Sequence, residues 1–140
     1  MLLSLKDSMT DWLKTIPCLA PVRELGPLQL AWLGDAVWEL HQRLRHCNVP
    51  GRSKDLHCAV VNSVKATAQA DALEKLKPFL EKNELNLVRK GRNSAGRGPR
   101  NINSAAYAHA TGFETMIGWL FLQNPLRLAQ LLDQLEEGIS

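Results

Sequence analysis

Residues 30–40 read LAWLGDAVWEL, a mostly apolar run with Asp35 in its middle. An ionised Asp among Leu, Trp, Val and Ala costs several kcal/mol unless it is paired, hydrated or metal-bound. The run is helical in pattern: Leu30, Leu33, Val37, Leu40 and Leu44 step by three and four residues and form one apolar stripe. At about 100° per residue, Asp35 falls nearly opposite that stripe, in line with Leu28, Ala31, Trp32 and Glu39. The helix is therefore apolar on two sides near its start. One face is expected to pack on the chain's own core, and the other to meet a partner or ligand.

Working outward, nearly everything reads as helix, because β-branched alternation and hairpin dipeptides are absent. The pattern predicts a short helix near Asp11 and a central helix from Pro27 to about His46. A third, capped by Ser53, runs to about Lys77, where Pro78 ends or kinks it, and a short one from Asn83 stops at Gly91. A helix over about 104–122 and a last one from Asn124-Pro125 to Glu137 complete an all-α bundle. With 140 residues, 45% of them hydrophobic, the expectation is one domain with a real core, preceded by an extension over 1–21.

No signal peptide is expected, since Lys6, Asp7 and Asp11 interrupt the N-terminus, and no apolar run is long enough for a membrane helix. A cytoplasmic protein follows as the expectation, with Cys18, Cys47 and Cys58 as reduced and mostly buried thiols rather than zinc ligands.

The net charge of +3 is concentrated in one place. Residues 89–100, RKGRNSAGRGPR, hold five basic side chains and no acid, leaving 12 basic against 14 acidic residues elsewhere. Glycines and Pro99 make this segment, 89–101, read as a flexible loop. Freed backbone N–H groups and Arg forks suit phosphate oxygens, so Lys90, Arg92, Arg97 and Arg100 are candidate contacts to a phosphate backbone.

A second acid stands on the helix after this loop, whose core positions are Ala110, Phe113, Ile117 and Leu120. Glu114 lies towards the edge of that face, with small Thr111 and Gly118 leaving room around it. Two carboxylates from separate helices, Asp35 and Glu114, could share a hydrated Mg²⁺, which takes oxygen ligands and needs few protein carboxylates. Such an ion activates water and offsets charge on a phosphodiester under attack.

LAWLGDAVWEL resembles the leading acidic motif of the ribonuclease III family, and ATGFETMIGWLFL (110–122) resembles its second acidic motif. VVNS (60–63) fits the family's middle helix, and KGRN…GPRN followed by Tyr107 is similar to the free-standing Mini-ribonuclease III branch, which carries no double-stranded-RNA-binding domain. The resemblance covers about residues 25–135. It implies the ribonuclease III endonuclease-domain fold, a two-fold homodimer, and Mg²⁺-dependent cleavage of double-stranded RNA to 5′-phosphate and 3′-hydroxyl ends. It implies precursor 23S ribosomal RNA as substrate, Asp35 and Glu114 as catalytic and metal-binding residues, and Trp32 as the aromatic that plugs into the other subunit. Two acids of the larger family are replaced here, by Ala31 and Thr111, and the role of Glu39 stays open. The alternative is an inactive relative that holds ribosomal RNA as a scaffold.

Overall fold

The computed structural model describes residues 21–47, 51, 54, 55, 57, 58, 61 and 65–137. The expected helix near Asp11, the Ser53 cap, Cys18 and most of VVNS lie outside them. A 3-10 turn, Val22–Glu24, leads into α1 (Pro27–Cys47). Then follow α2 (Ala66–Leu76) with a 3-10 turn at Lys77–Phe79, α3 (Lys82–Ser94), α4 (Ser104–Gln123) and α5 (Pro125–Glu137). Among the described residues there is no strand, and no helix is long and apolar enough to cross a membrane.

The bundle is built around α4, which packs most extensively on α1, then on α3 and α2. Its sequence explains this position, because small or apolar residues occur on all its sides and a helix apolar all round has to be enclosed. Ala110, Phe113, Ile117 and Leu120 are buried as the spacing predicts, and Gly112, Thr115, Met116 and Gly118 join them. Asn103 caps the helix, its side-chain oxygen accepting from the N–H groups of Ala105 (2.8 Å) and Ala106 (3.3 Å). Asn124 starts α5 in the same way, accepting from Arg127 N–H at 3.2 Å.

Four expectations are corrected. The buried face of α1 is Leu30, Ala31, Gly34, Trp38 and Gln42, whereas Leu40 and Leu44 are exposed. The reason is the close approach of α1 to α4, which selects the face carrying Gly34; Trp38 then stacks edge-on against Phe113, with ring centroids 5.1 Å apart. The third predicted helix does not run unbroken to Lys77, because Lys65 is extended (ψ 152°) and a separate helix starts at Ala66. That helix buries its own stripe, Gln69, Ala72, Leu73 and Leu76. Cys47 and Cys58 are free as expected but exposed rather than buried.

The fourth correction concerns the basic segment. Arg89–Ser94 is helical, so Arg89, Lys90 and Arg92 project from α3 and only Arg97 and Arg100 stand in the connection to α4. Gly91 does not break the helix; it is buried where α3 presses on α4, and a Cβ there would meet the Thr115 hydroxyl and the Gly112 backbone. The cap of α3 is Glu81, two residues before the expected Asn83, in a reciprocal arrangement: Glu81 accepts from the N3 backbone and Glu84 Oε1 accepts from Glu81 N–H at 2.8 Å.

Candidate active site

The crossing of α1 and α4 sets the site. A Cβ on Gly34 would overlap the Glu114 carbonyl oxygen, and one on Gly118 would overlap the Leu30 carbonyl oxygen. Two facing glycines therefore let the helix backbones touch, and the residues beside them, Asp35 and Glu114, are brought together. Gly118 does not leave room around the carboxylate, as its place in the sequence suggested; its space is taken by α1. Thr111 is likewise occupied, its hydroxyl donating to the Tyr107 carbonyl at 2.9 Å. Thr115 locks the same crossing: its fully buried hydroxyl lies 2.8 Å from the Thr111 carbonyl and 3.0 Å from that of Pro27, with one hydrogen to share.

The electrostatics follow from this geometry. Burial, then the hydrogen bond and the charge of Asp35, push the Glu114 carboxyl up to about 8, and Gln69 works against them. At neutral pH the Glu114 carboxyl therefore keeps its proton beside Asp35. Gln69 on α2 is 3% exposed, and its Nε2 donates to Glu114 Oε2 across 3.5 Å. Sequence reasoning passed over it, although a Gln in line with Ala72, Leu73 and Leu76 is a polar side chain at a core position.

No group of three or more His, Cys, Asp or Glu side chains clusters among the described residues. The donor set is two carboxylates with an amide beside them, which suits a hard cation that keeps most of its waters. Glu39, one turn beyond Asp35, turns away to Arg43, whose Nη2 donates to it at 2.8 Å.

The four basic candidates are not brought onto one face. Lys90 lines a cavity of about 170 Å³ with Arg23, Leu30, Thr115 and Trp119. Arg92 lays its aliphatic stem over Gly112. Arg97 and Arg100 are exposed, on a connection held down where Gly98 (φ 74°) presses against the Tyr107 ring. Trp32 is 83% exposed, and Leu28, Leu40 and Leu44 are exposed on the same helix, so the tryptophan is no part of this chain's own core.

With the geometry in place, comparison with known proteins is specific. The ribonuclease III domain family matches residues 28–125. The chain is 47% identical to the Mini-ribonuclease 3 of a Synechococcus strain over 116 residues, 83% of this chain and 84% of that protein. It is 43% identical to that of a Synechocystis strain, covering 86% and 85%, and 34% identical to that of a Thermoanaerobacter strain, covering 92% and 94%. A crystal structure of a Fusobacterium nucleatum protein superposes with a TM-score of 0.74 at 26% identity, covering 82% of this chain and 96% of the other. The chain thus belongs to the ribonuclease III family, in its Mini-ribonuclease 3 branch, and is an endoribonuclease.

Proposed function

We propose that this chain is a Mg²⁺-dependent endoribonuclease that cleaves double-stranded RNA as a two-fold homodimer, with the ribosomal 23S precursor as its natural duplex and the cytoplasm as its place of work. The observation that carries this reading is the Asp35–Glu114 pair at the glycine crossing, where Glu114 holds a proton up to about pH 8. Asp35 and Glu114 would hold the metal, which supplies Lewis-acid activation of water and neutralises charge gathering on the phosphate. With the metal held, Glu114 would be ionised, and the two carboxylates would orient the reacting phosphate beside it. Water adds to phosphorus and the 3′ oxygen departs with a proton, giving 5′-phosphate and 3′-hydroxyl ends.

Duplex RNA hides its base edges in a deep groove, so recognition falls to phosphates and 2′-hydroxyls. Arg97 and Arg100 suit backbone contacts, with Arg92 over Gly112 and Lys90 beside Thr115 and Trp119. A dimer axis can coincide with the pseudo-two-fold of the duplex, each subunit cutting one strand. Trp32 and Leu28, in line on α1, are the apolar surface for that contact, and the whole chain acts as a single catalytic unit.

The test is cleavage of a long RNA duplex with Mg²⁺ by the wild type, Asp35→Asn and Glu114→Gln. The wild type is expected to cut, and each variant to bind the duplex while cutting at least about 100-fold more slowly. Binding without cutting by the wild type would establish the scaffold alternative. Sedimentation of Trp32→Ala should give a monomer; an unchanged dimer rules out that contact.

A further inference from the structure

We propose that Gln69 is a positioning residue for the metal site: its amide holds the Glu114 carboxylate in the orientation in which it and Asp35 face one shared space. The inference rests on the proposed metal role of those two carboxylates and deepens it.

Three observations carry it. Gln69 comes from α2, an element separate from those bearing the carboxylates, and spans 45 residues of sequence to reach Glu114. It is 3% exposed at a position whose neighbours along the helix face, Ala72, Leu73 and Leu76, are apolar and buried. A buried amide is retained at a core position only if a hydrogen bond offsets its desolvation, and here the partner is the Glu114 carboxylate. Its Nε2 also donates to a Glu114 carboxyl oxygen without bringing a charge of its own. A carboxylate that binds a metal is in turn held by hydrogen bonds from outside the ligand set, and loss of such a partner typically weakens binding about 10- to 100-fold.

The identity of the side chain matters as well as its size. An acid at position 69 would add a third carboxylate beside Asp35 and Glu114. An apolar residue would leave Glu114 Oε2 buried without its donor. Glutamine does neither, and it leaves Asp35 and the other oxygen of Glu114 for the cation.

Gln69→Met keeps the volume and removes the amide, which makes it the informative variant. Mn²⁺ binding, read by electron paramagnetic resonance on the RNA-free protein, is expected to weaken about tenfold in Gln69→Met. With RNA duplex, kcat should fall about tenfold at fixed subsaturating metal while KM stays within twofold, and Gln69→Asn should recover neither. Melting temperature serves as the control for packing. If Gln69→Met binds Mn²⁺ within twofold of the wild type, or weakens only in proportion to a collapse in melting temperature, Gln69 is a core filler and the proposal is wrong. Asp35→Asn and Glu114→Gln separate the two levels. If they too bind Mn²⁺ like the wild type, the metal reading itself has failed; if they lose it while Gln69→Met does not, only the role of Gln69 has.

Discussion

Two glutamates of this chain are drawn into its interior, and their surroundings push them in opposite directions. Glu84, 1% exposed, meets Arg127 through two bonds, Nε to Oε2 at 2.8 Å and Nη2 to Oε1 at 2.9 Å. That hydrogen bond, against the cost of burial, holds its carboxyl below the usual range. Glu114 meets another carboxyl and is pushed up to about 8. One acid has every oxygen answered by a donor, and it ties α3 to α5 and, through Arg127 Nη2 and the Phe79 carbonyl, to the turn after α2. The other has no cation beside it among the described residues, only Asp35 and the Gln69 amide, at a helix crossing. A fold answers the charges it uses for its own stability; the one it leaves open is available to a ligand.

The largest effect is expected where the charge is answered. Glu84→Ala leaves the Arg127 guanidinium without its partner and removes the cap of α3, at a cost of about 3–5 kcal/mol. The melting temperature should fall by about 10 °C or more. Since Glu84's carboxyl is held below the usual value, its contribution is present above about pH 4.5 and lost as the solution is made more acid. Urea unfolding at pH 7 and pH 3.5 reads this directly. A variant as stable as the wild type at pH 7 would erase the contrast between the two acids.

Much of this was legible in the sequence. The all-α class, the span of α1, α4 and α5, and the pairing of Asp35 with Glu114 follow from spacing together with the two resembling motifs. Other parts were hidden because they depend on which helix faces meet. Periodicity placed Leu40 and Leu44 in the core, because a stripe of leucines says nothing of the glycine opposite; Gly34 chose the face instead. Gly91 read as a breaker for the same reason, since a glycine that ends a helix and one that admits a neighbouring helix are written alike. The partners of Gln69 and Glu84 were hidden, as each contact links residues more than 40 apart in sequence.

The second effect has the opposite sign. In the metal-free protein Glu114 is raised, so the folded state is favoured below about pH 4.5 and loses stability as pH climbs towards about 8. Glu114→Gln stays neutral and escapes that loss. At pH 8 it should be more stable than the wild type, on the order of 2 kcal/mol or about 5 °C after allowing for solvent screening. At pH 5 the two should melt nearly together. Mg²⁺ should raise the wild-type melting temperature at pH 8 and leave the variant unmoved. A Gln variant less stable than the wild type at both pH values would mean that Glu114 is answered after all.

A third glutamate sets the lower end of the scale. Glu136 on α5 bridges two residues of α1, with His41 Nε2 at 3.2 Å and Arg45 Nε at 3.3 Å. Its side chain is 41% exposed, so water screens both contacts, and an exposed pair contributes roughly 0–1 kcal/mol. His41 is half-buried, and desolvation lowers its pKa despite the neighbouring carboxylate. The burial therefore outweighs the bridge, and His41 remains neutral at pH 7. Removing the partner by Glu136→Gln should change the melting temperature by no more than about 2 °C at pH 7. A slightly larger loss is expected below pH 6, where protonating His41 without Glu136 nearby becomes harder. A loss approaching that of Glu84→Ala would show that exposure does not separate these acids, and that the two helix ends depend on the bridge.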